Sequence, residues 1–177
     1  MEEYRLVVWG LHGIYGAGDS IGDLETELLL STIFTPIFES YDLDVVITGH
    51  THSQGRSHFM ELGKVVQKAE SGKTYTDPEG IVYLNSNSVC EKVIMDYEAE
   101  HLAYSFIEND VTTYTTLEFK ENKMIVETRR GDNSQLLDSI TIERTTSERK
   151  DKNIGSVIHR LLYKVVEFVG LVYVKID

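Results

Sequence analysis

The segment Gly49-His50-Thr51-His52 follows directly on the apolar run Leu43-Asp44-Val45-Val46-Ile47-Thr48, and this junction restricts the fold more than any other stretch. The run reads as a buried strand. Two imidazoles one residue apart on extended backbone project to the same side. Gly49 lacks the Cβ that would keep the chain away from an ion. A third imidazole, His12, also follows a strand-like run, Tyr4 to Trp9. Between the two runs, Asp23 to Tyr41 carries Leu24, Leu28, Ile33, Ile37 and Phe38 at roughly helical spacing. Such a strand, helix, strand unit lays its strands parallel with a right-handed crossover, so both carboxyl ends reach one edge of the sheet. Open α/β sheets bind ligands at that edge, and His12, His50 and His52 are expected to converge there as metal ligands. Pro36 is expected to interrupt the helix near Phe34 and Thr35, leaving two shorter pieces.

Downstream, residues 56 to 69 and 80 to 84 read as strands, separated by the polar turn region SGKTYTDPEG. Val89 to His101 fits helix or strand. Tyr104 to Ile107, Thr113 to Lys120, Met124 to Arg130 and Leu136 to Arg144 read as strands that pair antiparallel, with Gly131-Asp132-Asn133 as a turn. The polar stretch 145–153 reads as a linker. Beyond it Ile154, Ile158, Leu161, Val165, Phe168 and Val172 fall on one stripe, which predicts an amphipathic helix over 154–177. His159, Arg160, Lys164 and Glu167 argue against a membrane span. Packing on the domain or a partner is the expected use of that stripe, ahead of a membrane surface.

A chain of 177 residues with 41% hydrophobic and 26% charged residues is expected to bury a core as one globular unit. The net charge of −12 argues against a nucleic-acid partner, because phosphate backbones are bound by an excess of Lys and Arg. The same field repels a phosphate ester unless cations offset it. Cys90 is the only cysteine, so no intrachain disulfide framework exists and Cys90 reads as structural. The start MEEYRLVV lacks the features of a signal peptide, and a cytoplasmic setting is favoured.

The stretches VVWGLHGIYGAG, LLLSTIFTPIFESYDLDVVITGHTHSQGRSHF and GIVYLNSNS resemble the last two metal-binding blocks and following strands of calcineurin-like metallophosphoesterases, the purple acid phosphatase branch above all. In that branch a Val-x-x-His block supplies one ligand and Gly-His-x-His two more. The resemblance spans about residues 4 to 144. The family's earlier Asp-x-His, Gly-Asp and Gly-Asn-His blocks have no counterpart before His12. The resemblance therefore implies an α/β (mixed α+β) metallophosphoesterase-like β-sandwich with flanking helices, present as its C-terminal half over 1–144. A half-sandwich is expected to expose apolar sheet surface, and so to pair with an N-terminal fragment or a second copy.

What the resemblance implies for chemistry is phosphate monoester hydrolysis by a metal-activated hydroxide, with two divalent or trivalent ions of Zn, Fe or Mn type in the complete site. His12 and His50 would bind the divalent ion and His52 would face the other. Family members are often secreted or lysosomal. The loop after His12 lacks the histidine that many purple acid phosphatases place there. Tyr15 matches an aromatic common in that loop and is expected at the mouth of the site, and Asp19, with Asp23, is a candidate acid, extra ligand or ordinary loop carboxylate. Arg56 is a candidate contact for substrate phosphate or an ordinary strand residue. His58, His101 and His159 are read as structural. The alternative to an enzyme is a binding or scaffold protein that keeps the fold without the metal centre.

Overall fold

In the computed structural model, the described residues are 6–8, 12–15, 21–49, 53–86, 99–106 and 111–145. Strand β1 (Leu6–Val8) leads to helix α1 (Ile21–Ser40) and strand β2 (Val45–Thr48). The strands β3 (Gln54–Glu61), β4 (Lys64–Gln67), β5 (Lys73–Thr76) and β6 (Ile81–Asn85) follow. After them come β7 (Leu102–Phe106), β8 (Thr113–Phe119), β9 (Lys123–Arg130) and β10 (Leu136–Glu143). One sheet has the order β1-β2-β6-β3-β4, with β7 also on β3, and the other the order β5-β10-β9-β8. The mixed α/β class is as the sequence predicts.

Strands β1 and β2 are parallel, Leu6 opposite Val45 and Val8 opposite Ile47, with α1 as the connection. Strand β6 continues the parallel set on the other side of β2, Thr48 standing opposite Asn85. On the face toward α1, Leu30, Phe34 and Phe38 pack with Val46, Met60, Ile81 and Tyr83. On the opposite face, Val45, Phe59, Val82 and Leu84 meet Met124, Val126, Ile140 and Ile142 of the second sheet. Alternate residues of β2 and β6 thus serve two cores, as strands buried on both faces do.

This layering corrects the expectation of an uncovered half-sandwich. Among the described residues the inner faces of both sheets are buried against each other. Two buried ion pairs reinforce the contact with opposite polarity. Arg56 of β3 donates from Nε and Nη2 to Asp138 of β10 at 2.6 and 3.0 Å, and Arg144, just past β10, donates from Nε and Nη2 to Oδ1 of Asp44, just before β2, at 2.8 and 2.5 Å.

Helix α1 also departs from expectation, running unbroken through Pro36. The missing amide and ring clash cost about 3 kcal/mol in a helix interior. Phe34 and Phe38 flank Pro36 and are stacked, with ring centroids 6.0 Å apart, against the helix-side core. Burial of Phe38, roughly 1.5–3 kcal/mol, together with the partial burial of Phe34 against the same core, offsets the local penalty. The predicted strand 56–69 is instead a hairpin, since Leu62 and Gly63 both take left-handed φ, 51° and 77°, and turn β3 into β4. The region read as a polar turn contains β5, which pairs parallel with β10. Residues 87–98 and 146–177, and with them most of Val89–His101 and the predicted C-terminal helix, lie outside the described residues.

Candidate functional site

The carboxyl ends of β1, β2 and β6 lie at one edge of the first sheet because all three strands are parallel. Strand β3 starts at the same edge, Gly55 opposite Asn85. The chain therefore leaves β2 at Thr48 and Gly49 at this edge and begins β3 at Gln54, just past Ser53, at the same edge. His50 and His52 themselves lie outside the described residues, as does Asp19.

What holds the two ends of this short connection is Asn85, 1% exposed at the end of β6. Its Nδ2 donates to the carbonyl of Ser53 at 2.8 Å, and its Oδ1 accepts from the Thr48 hydroxyl at 3.1 Å. One amide thus ties the last residue of β2 to the residue just before β3. The Ser86 amide donates to the Thr48 carbonyl at 2.9 Å and extends the parallel ladder past the strand end. Gly49 has nothing within 4 Å of where a Cβ would stand. The glycine is therefore not required there by crowding. Asn85 was not singled out by sequence reasoning; its signal is a polar amide closing the apolar run Ile81-Val82-Tyr83-Leu84, where a strand needs partners for its last backbone groups.

His12 stands four residues past the end of β1 and is half-buried, with Nδ1 shielded from solvent. Tyr15, three residues on, packs edge-on to Tyr83 with centroids 4.7 Å apart and lies 5.6 Å from the His101 ring. Its phenolic oxygen is buried. Tyr15 thus packs into the helix-side core, where the sequence reading expected it at the mouth of the site. Tyr83 is wholly buried, and burial, then the neighbouring Tyr15 and Glu39, hold its phenol well above the usual range. Glu39 accepts from the Leu62 amide at 2.5 Å, fastening the β3–β4 turn to α1.

Arg56 is 1% exposed and its guanidinium is engaged bidentately by Asp138. That geometry gives no support to a substrate contact by Arg56 and assigns it to the joint between the sheets. Tyr104, opposite Arg56 on β7, is pushed up to about 12 by burial and then by the Asp138 charge, so it stays neutral beside the pair. His58 accepts at Nδ1 from the Ala69 amide at 2.9 Å. Burial and then the Arg56 charge lower its pKa below 6.5, which keeps the ring neutral. The His101 carbonyl accepts from the His58 amide at 2.9 Å. Both histidines thus have structural partners. Among the described residues no group of three or more His, Cys, Asp or Glu side chains is placed to hold a metal ion, and no described helix is long and apolar enough to cross a membrane.

No protein-family model matches the sequence, and no curated protein does. Among solved structures, the chain is similar to the purple acid phosphatase PPD1 from seeds of yellow lupin (Lupinus luteus), with a TM-score of 0.55 and 14% identity. That likeness covers 85% of this chain and 26% of the phosphatase, so the chain spans about a quarter of that enzyme's length. A single mutant of Vps29 from Entamoeba histolytica aligns over 75% of this chain and 52% of its own, with 17% identity and a TM-score of 0.31. Wild-type Vps29 complexed with zinc from the same organism aligns over 70% of this chain and 47% of its own, with 16% identity and a TM-score of 0.28. At these identities the likeness concerns the backbone. The chain has a metallophosphoesterase-like fold of mixed α/β class, with two packed sheets and one described helix.

Proposed function

We propose that this chain contributes the histidine ligands of a metal-dependent phosphoesterase acting on phosphate monoesters, with His12 from the β1–α1 connection and His50 and His52 from the β2–β3 connection. The observation that carries this reading is the parallel set β1, β2 and β6, which brings the chain out of all three strands at one edge. Asn85 then fastens both ends of the segment in which the two histidines stand. The backbone likeness to a purple acid phosphatase supports it. Neutral imidazole suits ions of Zn, Fe or Mn type. Two such ions supply a hydroxide nucleophile and a clamp for phosphoryl oxygens, and their charge offsets the protein's −12 toward an anionic substrate.

Three imidazoles lack a carboxylate bridge for a second ion. The chain alone is therefore expected to turn over little substrate until an N-terminal fragment or a second copy completes the site. A cytoplasmic setting belongs to the same proposal. The test is zinc titration of the wild type and of His12→Ala and His52→Ala, reading metal retained after desalting. Retention should fall clearly in both variants, and should also fall as pH drops below about 6.5, where histidine protonates. Equal retention by all three proteins would reject the ligand set. Hydrolysis of an aryl phosphate that is abolished by a chelator and by His50→Ala would establish catalysis.

The second reading, a binding or scaffold protein on the same fold, draws on Arg56, whose charge the fold spends internally on Asp138. It predicts no turnover even with metal bound and with an N-terminal fragment added.

A further inference from the structure

Strand β8, Thr113-Tyr114-Thr115-Thr116-Leu117-Glu118-Phe119, consists of β-branched and aromatic residues apart from Leu117 and Glu118, the types that suit extended backbone. It ends the second sheet, with β9 as its one partner among the described strands. At seven residues it is longer than the other described end strands β1, β4, β5 and β7, which have three to five. It also lacks the usual guards of a sheet edge, having no proline, no lysine and no bulge against β9.

Which backbone groups face outward follows from the ladder. Lys120 and Lys123 exchange both amide hydrogen bonds, and the Gly131 amide donates to the Thr112 carbonyl at 2.8 Å. Hydrogen-bonded pairs alternate along an antiparallel ladder, so Tyr114, Thr116 and Glu118 direct their backbone groups at β9. The amides and carbonyls of Thr113, Thr115 and Leu117 therefore point away from the sheet. Thr115 and Thr128 agree with this alternation, since their hydroxyls are 3.0 Å apart, the close approach of a pair that shares no backbone bond. The exposed side chains are those of Tyr114, Thr116, Glu118 and Phe119.

This strand is complementary to itself. With a twofold axis at Thr116, antiparallel pairing sets Thr115 opposite Leu117, Thr113 opposite Phe119 and Tyr114 opposite Glu118 of a second copy. No like charges meet, and Thr116 faces Thr116, a favourable cross-strand pair. Charge selects the same edge. Two chains of net charge −12 repel each other, but Glu118, the one acid of β8, is offset by Lys120 at 3.3 Å. We infer that two copies of this chain associate edge to edge through β8, antiparallel about Thr116, joining their four-stranded sheets into one. The association does not depend on metal binding at the histidine edge.

Sedimentation equilibrium of the full-length chain tests this, and the wild type should be a reversible dimer. Thr115→Pro removes an amide that points outward, a place where an edge strand tolerates proline. It should raise the dimer dissociation constant at least tenfold and leave the circular dichroism spectrum unchanged. Thr116→Lys and Thr116→Glu each set like charges against each other on the axis and should weaken the dimer by a similar factor. An equal mixture of those two variants should restore it, because opposite charges then face each other. That mixture decides the matter should Thr115→Pro fail to fold. A monomeric wild type, a folded Thr115→Pro variant or Thr116 variants that dimerise as the wild type does, or a mixture no tighter than either variant alone would overturn the inference.

Discussion

Replacing Asp138 with Leu separates the two roles that Arg56 has been given. If Arg56 were a surface residue that meets substrate, the loss of a nearby carboxylate would cost under about 1 kcal/mol. In the structure the Arg56 and Asp138 side chains are 1% and 3% exposed and joined at 2.6 and 3.0 Å. Asp138→Leu leaves a buried guanidinium whose remaining contact of this kind is the Ser57 carbonyl at 3.3 Å. Breaking such a pair from one side costs about 3–5 kcal/mol, because the partner stays buried and uncompensated. A domain of this size has about 5–15 kcal/mol in total, so the variant should unfold at a urea midpoint lower by on the order of 2 M, for a slope of about 2 kcal/mol/M. The double variant Arg56→Met, Asp138→Leu removes both charges and should recover to within about 1 kcal/mol of wild type or exceed it. Urea unfolding followed by circular dichroism of wild type, both single variants and the double variant closes the cycle. A single-variant loss under about 1 kcal/mol, or a double variant no better than Asp138→Leu, would refute the assignment of Arg56 to the inter-sheet joint.

Asn85→Ala removes both ties across the histidine-bearing connection and should cost about 2–3 kcal/mol by the lost hydrogen bonds. It should also lower zinc retention; a variant with wild-type retention would show that the clamp does not position the ligands. His58 is held below 6.5 mainly by burial, so below that pH the unfolded chain binds more protons than the folded one. Its contribution is complete above 6.5 and is lost as pH falls toward the lowered folded value. His58→Gln should therefore flatten the stability slope between about pH 7 and 5, and an unchanged slope would count against it. Gly80 has φ +84°, and a Cβ there would stand 2.8 Å from the Met60 carbonyl oxygen. Gly80→Ala should destabilise by about 1–3 kcal/mol, measured by the same unfolding assay, and a neutral effect would refute the close approach.

Elements whose identity is local can be read from residue pattern alone. The apolar runs before His12 and Gly49, the helical spacing between them and the alternation in 113–144 fix which residues turn inward, because side-chain period follows from backbone geometry alone. That was enough to predict the parallel β1–α1–β2 unit and the antiparallel β8–β9–β10 run, both found. The remaining elements depend on packing between distant segments. Strand β5, Lys-Thr-Tyr-Thr, is mostly exposed and carries no apolar pattern; it is a strand because the edge of β10 offers it parallel hydrogen bonds and because the Tyr75 ring meets Phe59 at 5.1 Å. Pro36 stays inside a helix because Phe38 beside it is buried and Phe34 packs, partly buried, on the same core. Arg56 looks in sequence like any charged strand residue. Its role is set by Asp138, 82 positions away, which only the packing of one sheet on the other brings within 2.6 Å.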